Sequence, residues 1–288
     1  MDSKSDIERI AFNILKESKS LGKFPTQVDK IVQYSELDHD KSIDLSKIHP
    51  GFVTKNIELL KKAIRKVRGA IDIREKTIYI DLSVNENRQR FIKLHETGHK
   101  LLPWQKNCYE FLDDDNTLSP SADELFENEA NYFASSTLFQ LDRFEEEASL
   151  LPLSIKSAMV LAHKFGSSKH AALRRYVEYS NKRCALIVLE NFDNLRSIAT
   201  IRNYFQSPGF TKEFGILQWP NICDIKFPFI VNISEGRRFL DDGSIYYNLY
   251  NKSVSLNYHY FNNSFNYFIF LFPPGEFNKS KTKILIKK

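Results

Sequence analysis

The chain has 288 residues and a formal net charge of +5, from 41 lysines and arginines against 36 aspartates and glutamates. Hydrophobic residues make up 42% of the chain and aromatic residues 13%. This composition excludes a disordered chain, a collagen-like repeat and a coiled coil, because it holds enough apolar side chain to offset the entropy lost on folding. The length predicts one large domain or two ordinary ones.

The sequence carries no signal for a membrane or for export. Its longest apolar run, Tyr267–Pro274, is shorter than the roughly 20 residues that a membrane-spanning helix needs. The first residues lack the apolar core of a secretory signal. The three cysteines have no CxxC spacing, which argues against a disulfide scaffold. We therefore expect a cytoplasmic protein with no membrane partner.

Helical and strand patterns alternate along the first 140 residues. Apolar spacing predicts helices over Asp6–Tyr34, with a break at Pro25, and over Ile57–Val67, separated by a polar connector. Alternating apolar residues on both sides of a charged turn predict a β-hairpin over Ala70–Ser83. Two longer helices are then predicted, over Glu86–Leu102 and Ala122–Phe139.

An HExxH motif, His95-Glu96-Thr97-Gly98-His99, lies inside the first of these longer helices. Residues four apart share one face of a helix, so both imidazoles can reach one metal ion. Glu96 lies beside them, where it can take a proton from a metal-activated water. The motif indicates metal-dependent hydrolysis, and it requires a third ligand from another helix.

The second longer helix offers two candidates for that ligand. Glu127 and Glu129 both lie among apolar residues, and an unpaired buried carboxylate is costly. They are about 200° apart around a helix, so only one of them can face the metal ion. The residues by themselves leave both choices open.

The two motifs together resemble the ImmA/IrrE family of zinc metallo-endopeptidases. The resemblance rests on the HExxH motif with the following Leu101-Leu102-Pro103-Trp104, and on Glu129-Ala130-Asn131-Tyr132-Phe133-Ala134. It covers roughly residues 6–180. It implies that His95, His99 and Glu129 hold Zn²⁺, with Mn²⁺ as a substitute, and that Glu96 is the general base; Glu127 is the competing ligand.

The resemblance also implies a regulatory role. Members of this family typically cut, or promote cutting of, a helix-turn-helix repressor encoded nearby, often in mobile elements or stress responses. We therefore expect a regulatory zinc endopeptidase whose partner is such a repressor.

Two further roles in peptide cleavage have candidate residues. Zinc peptidases commonly stabilise the oxyanion with a His, Tyr or Arg. The candidates for this role are His163, His170, Tyr132 and Tyr176. An edge strand above the metal-binding helix can hold an extended substrate as an added strand. We predict that Ile78, Ile80 and Leu82 lie on this strand.

The segment Leu151–Arg183 is strongly basic, with seven basic residues and only Glu178 as an acidic one. Two predicted helices here are separated by Gly166-Ser167-Ser168, as in a helix-turn-helix. The candidate basic patch is Lys164, Lys169, Arg174 and Arg175. A catalytically silent or DNA-binding regulator is therefore the alternative function, although a helical subdomain that closes the peptidase core explains the same pattern.

The pattern of apolar residues changes from helical to strand-like near Asn181–Arg183. The predicted strands are Cys184–Leu189, Phe227–Ile233, Ile245–Tyr250, Val254–Tyr260, Tyr267–Phe272 and Ile284–Ile286. We expect an α+β protein. Residues 1–180 would form a mainly helical, zincin-like metallopeptidase domain with a basic helical subdomain at 151–180. Residues 181–288 would form a β-rich domain for sensing or substrate recognition.

Overall fold

The computed structural model describes residues 3–47, 69–73, 75–111, 119–249 and 252–276. The helix predicted over Ile57–Val67 and the strand predicted over Ile284–Ile286 lie outside these residues. The chain divides into two compact units. The N-terminal unit is Met1–Phe144 with His163–Ser168, and the C-terminal unit is Glu145–Ala162 with Lys169–Lys288.

Six of the eight helices described in the first 180 residues were predicted, and the helices over Pro103–Phe111 and Arg143–Ser149 were not. The eight are α1 (Ser3–Glu17), α2 (Val28–Tyr34), α3 (Glu86–Leu101), α4 (Pro103–Phe111), α5 (Pro120–Leu138), α6 (Arg143–Ser149), α7 (Ile155–Phe165) and α8 (Lys169–Glu178). None of the described helices is long and apolar enough to cross a membrane. In the N-terminal unit, the core joins Ile7 and Leu15 of α1 to Ile92 of α3 and Phe133 of α5.

Local capping explains where the two central helices begin. The Asn85 side chain accepts a hydrogen bond from the backbone N–H of Arg88 at 3.0 Å, which satisfies a free donor at the start of α3. The Ser119 hydroxyl does the same for Ala122 at the start of α5. Both helices therefore begin where short polar side chains can replace the missing helical acceptors.

A three-stranded sheet lies in the N-terminal unit. Its strands are β1 (Asp38–Asp44), β2 (Gly69–Asp72) and β3 (Thr77–Ile80), in the order β1-β3-β2. The antiparallel pairing of β2 with β3 confirms the predicted hairpin. The prediction of a polar connector before Ile57 was wrong in part. Its residues Asp38–Asp44 form strand β1, which pairs in parallel with β3. An edge strand tolerates polar side chains. Strand β1 therefore lacks the alternation of apolar and polar residues from which a strand is predicted.

The position of β1 also corrects the predicted substrate strand. Since β1 and β2 cover both sides of β3, the strand that carries Ile78 and Ile80 is central and has no free edge. Both isoleucine side chains are fully buried. Leu82 lies beyond the end of β3, and its backbone N–H donates to Asp44.

The C-terminal unit contains a six-stranded antiparallel sheet. Its strands are β4 (Ala185–Asp193), β5 (Ile198–Gln206), β6 (Ile222–Cys223), β7 (Phe239–Leu249), β8 (Lys252–Asn262) and β9 (Tyr267–Phe272), in the order β6-β5-β4-β9-β8-β7. Two short helices, α9 (Pro208–Phe214) and α10 (Pro228–Ser234), contribute Phe210, Phe229 and Ile230 to its core. With the helical N-terminal unit, this sheet confirms the α+β class.

The strand predicted over Phe227–Ile233 was wrong, because this segment forms α10. Pro228 occupies the start of the helix, where its fixed φ and missing N–H cost nothing. The buried residues Phe229, Ile230 and Ile233 then share one helical face. A short apolar run fits a strand and a buried helical turn equally well.

The structural change at the predicted boundary is visible, since α8 ends at Glu178 and β4 begins at Ala185. Compactness nevertheless groups Glu145–Ala162 and α8 with the C-terminal sheet. The division of the chain into two domains at residue 180 remains a prediction.

A buried histidine in β8 predicts acid sensitivity of the C-terminal unit. His259 is 1% exposed, and its Nδ1 accepts a hydrogen bond from the backbone N–H of Ile155 at 3.3 Å. Burial lowers the pKa of His259 from 6.5 to about 4. Because the folded pKa is the lower one, the stabilisation is complete above pH 6.5 and is lost as the pH falls towards 4.

We therefore expect the free energy of unfolding to fall by about 2 kcal/mol between pH 7.5 and pH 5 through this residue. Urea unfolding of His259→Asn at both pH values would measure it, since the amide oxygen can accept the Ile155 hydrogen bond without titrating. The variant should lose about 2 kcal/mol less than the wild type. His163→Gln, at an exposed position, is the control. Equal losses in wild type and His259→Asn would contradict the prediction.

Candidate metal centre

Helix α3 places the three residues of the HExxH motif in a buried position. His95, Glu96 and His99 are 1%, 4% and 5% exposed. The Nε2 atoms of the two histidines lie 3.1 Å apart, as expected for residues one helical turn apart on one face. The two ring nitrogens are therefore aimed at a common point.

Helix α5 brings Glu127 to the same point. One carboxylate oxygen of Glu127 lies 3.5 Å from Nε2 of His95, and the other lies 3.6 Å from Nε2 of His99. His95, His99 and Glu127 form a group that could hold a metal ion within the described part of the chain. The third member of this group is thus Glu127 in this geometry.

The expectation for Glu129 requires correction. Its carboxylate accepts hydrogen bonds from the indole N–H of Trp104 at 2.6 Å and from the amide of Gln105 at 2.9 Å. Glu127 and Glu129 point in different directions because two residues correspond to about 200° of helix rotation. The buried carboxylate of Glu129 is therefore satisfied by hydrogen-bond donors of α4.

Gly98 explains how α5 comes close enough to supply a ligand. A Cβ atom at this position would lie 3.0 Å from the Phe133 ring and 3.4 Å from the Cα of Ala130. Glycine in the HExxH motif and alanine in α5 allow the two helix backbones to approach closely. The spacing of Glu127 from the histidines depends on this approach.

The donor set fits a tetrahedral metal ion. An ion roughly 2.0–2.1 Å from each ligand holds its ligands roughly 3.3–3.4 Å apart. The two imidazole nitrogens lie 3.1 Å apart, and each has one carboxylate oxygen of Glu127 at 3.5 or 3.6 Å. Two imidazole nitrogens and one carboxylate are also ligands that zinc accepts in catalytic centres. The residues present therefore fit the ion that the resemblance implies.

The environment of Glu96 suits a group that exchanges protons near neutral pH. Burial raises the pKa of Glu96 to about 7, against the attraction of His95 and with help from the charge of Glu127. Strand β2 lies against this carboxylate: a Cβ at Gly69 would be 2.8 Å from Oε1 of Glu96 and 2.3 Å from Ile92. Only glycine leaves room for both side chains there.

The residues around His99 were missed by the sequence analysis. Gln105 is fully buried, and its Oε1 lies 2.8 Å from Nδ1 of His99. Trp104 and Gln105 follow directly after α3, at the start of α4. Trp104 belongs to the motif that carried the resemblance, but no pattern in the sequence indicated that these side chains reach Glu129.

The four candidates for oxyanion stabilisation have other surroundings. The hydroxyl of Tyr132 donates to Glu8 of α1. Tyr176 donates to the Pro152 carbonyl at 3.2 Å within the C-terminal unit, where burial raises its pKa to about 12. His170 packs against Phe268 in the same unit, and His163 is exposed. None of these contacts involves His95, His99 or Glu127.

The predicted basic patch is largely engaged with other side chains. Arg175 is 7% exposed and pairs with Glu145 at 3.0 Å, and Arg174 pairs with Glu178 at 3.0 Å. The ammonium groups of the two lysines lie over aromatic rings, Lys164 over Phe24 and Lys169 over Phe261. Lys164 also belongs to the N-terminal unit and the other three residues to the C-terminal unit. Pairing with acidic residues outside the segment thus reduces the basic excess counted in the sequence.

A family model and solved structures are similar to this chain. A solved structure of a Mycobacterium tuberculosis transcriptional regulator is similar, with a TM-score of 0.54 and 11% sequence identity, over 93% of this chain and 75% of that chain. At this identity the likeness concerns the fold alone. No curated protein matches the chain. Residues 50–176 match the family model of the Peptidase M78 IrrE N-terminal-like domain. This match confirms, over this segment, the resemblance to ImmA/IrrE proteins.

Proposed function

We propose that this chain is a regulatory zinc-dependent endopeptidase that cleaves a protein partner, such as a helix-turn-helix repressor encoded nearby. The observation that carries the proposal is the convergence of two imidazoles and one carboxylate within 3.1–3.6 Å, next to a buried glutamate. The family match supports peptidase chemistry. The name of the similar solved structure, a transcriptional regulator, supports a regulatory role.

We assign metal binding to Nε2 of His95, Nε2 of His99 and the carboxylate of Glu127, in place of Glu129. Zn²⁺ is the ion we expect, and Mn²⁺ could replace it because a site with two histidines and one carboxylate accepts several divalent ions. When bound, the ion would polarise a water molecule and the carbonyl group of the substrate.

Glu96 acts as the general base in this proposal. Its carboxylate takes a proton from the attacking water and later gives it to the nitrogen of the leaving amine. Burial favours the protonated form of this carboxyl group and raises its pKa, which helps it to accept the proton from water. The backbone of Gly69 packs against Oε1 and limits where this carboxylate can move.

In this proposal the substrate pairs with strand β2, in place of β3. In the described sheet, β2 pairs with β3 on one side and is an edge strand. Gly69, at the start of β2, lies against Glu96. A peptide added to β2 as a further strand would run beside the general base, with main-chain hydrogen bonds that do not depend on its sequence.

The C-terminal part, residues 181–288, would select the partner or sense a signal. The basic helical segment at 151–180 would serve as a helical subdomain. The alternative function, a silent or DNA-binding regulator, has less support because Arg174 and Arg175 have acidic partners.

The proposal is tested by cleavage of a repressor encoded next to this chain. The purified protein is stripped with a chelator, reloaded with Zn²⁺ or Mn²⁺, and incubated with the repressor. We expect two fragments, identified by mass spectrometry, only with the metal-loaded protein. Cleavage that is equally fast in the chelator would exclude metal catalysis. No cleavage together with tight, salt-sensitive duplex binding, lost in Arg174→Ala, would favour the DNA-binding alternative.

A further inference from the structure

We infer that Glu129 and Gln105 are positioning residues that determine which ring nitrogen of His99 carries the proton. The inference rests on the proposed metal centre, because Nε2 of His99 is the atom assigned to the metal ion. The inference gives Glu129 a function at the metal centre, although its carboxylate is not one of the proposed ligands.

The orientation of the Gln105 amide is fixed by its two neighbours. Its Nε2 lies 2.9 Å from the Glu129 carboxylate and 3.1 Å from the backbone carbonyl of Phe126. A carboxylate and a carbonyl can only accept hydrogen bonds, so the NH₂ group must face them. The carbonyl oxygen of the amide must then face His99.

The protonation of His99 follows from this orientation. The amide oxygen of Gln105 lies 2.8 Å from Nδ1 of His99 and can only accept, so Nδ1 must donate. A neutral imidazole has one N–H, and the lone pair is therefore left on Nε2. That nitrogen lies 3.1 Å from Nε2 of His95 and 3.6 Å from Glu127. The tautomer of His99 is thus set for metal binding before an ion arrives.

The acceptor oxygen of Glu129 matters for this arrangement. The same carboxylate oxygen accepts from Trp104 at 2.6 Å and from Gln105 at 2.9 Å, and the residue is 8% exposed. A leucine in its place would remove one of the two acceptors that hold the Gln105 NH₂ group, so the amide could turn over and offer a donor to His99. Two glutamates two residues apart therefore perform different tasks: Glu127 contacts the ion, and Glu129 fixes the tautomer.

Two variants test the inference, Glu129→Leu and Gln105→Met, with Glu124→Leu as a control at an exposed position of the same helix. The first readout is the tautomer of His99 in the metal-free protein, from nitrogen–proton correlation spectra of the histidine rings. We expect Nδ1–H in the wild type and in Glu124→Leu, and a mixture of tautomers in both test variants. The second readout is Zn²⁺ affinity by competition with a chelating dye, expected to fall roughly 10–100-fold in the test variants.

The outcomes separate the inference from the proposed function. Tight Zn²⁺ binding in the wild type with a proton on Nε2 of metal-free His99 would overturn the inference and leave the metal centre standing. Unchanged tautomer and affinity in both test variants would overturn it too. An Nδ1–H tautomer in a wild type that binds no Zn²⁺ would support the hydrogen-bond chain and contradict the proposed function. The wild-type spectrum gives an answer even if a variant does not fold.

Discussion

The Glu127→Ala variant is expected to lose stoichiometric metal. The carboxylate of Glu127 is the part of the centre that comes from α5, and its oxygens lie 3.5 and 3.6 Å from the two imidazole nitrogens. Without it, two histidines on one helix remain, and the ion lacks the negative charge that offsets its own in a buried site. The loss of affinity should exceed the roughly 10–100-fold that an outer residue costs.

The measurement is Zn²⁺ per chain after gel filtration, combined with dye competition. Glu124→Ala is the matched control, because Glu124 is exposed on the same helix. Circular dichroism confirms that each variant is folded. Glu129→Ala should bind more weakly than the wild type but more tightly than Glu127→Ala. If Glu129→Ala lost the metal and Glu127→Ala kept it, the ligand assignment derived from the structure would be wrong.

The Glu96→Gln variant is expected to keep its metal and lose its peptidase activity. An amide occupies the same space as the carboxylate but cannot take a proton from water, so we expect cleavage to slow by about 10²–10⁴-fold. Zn²⁺ affinity should change little, because Glu96 is not among the three residues that converge on the metal position. The variant therefore separates catalysis from metal binding.

Cleavage of the adjacent repressor and Zn²⁺ affinity are measured side by side. Glu86→Gln, an exposed position in the first turn of the same helix, controls for the loss of one negative charge on α3. Wild-type cleavage by Glu96→Gln would rule out this residue as the general base. Loss of metal in the same variant would instead mean that Glu96 is a ligand.

The parts of the fold that sequence predicts well are those with strong periodicity and local caps. The helices α3 and α5 have long apolar stripes, and Asn85 and Ser119 mark their starts. The hairpin of β2 and β3 follows from alternating isoleucines. These signals are local, because the hydrogen bonds that form each element join residues close in sequence.

The incorrect predictions concern segments whose structure or charge balance depends on residues distant in sequence. Strand β1 is polar and is held by its pairing with β3. Helix α10 is a short apolar run that its proline and its packing turn into a helix. The basic excess of Leu151–Arg183 was counted without Glu145, which lies outside the segment and pairs with Arg175. Each of these outcomes depends on a partner that the local pattern does not contain.

The sequence by itself determined that a helix carries two histidines and a glutamate at metal-binding spacing, since one turn of helix relates positions 95 and 99 whatever surrounds them. It also predicted that a second helix supplies an acidic residue. Only the tertiary structure shows that Glu127 lies beside the two histidines and that Glu129 is bonded to Trp104 and Gln105. The rotation of α5 about its own axis is set by how Ala130 and Phe133 pack against Gly98, and Trp104 and Gln105 supply the donors that occupy Glu129.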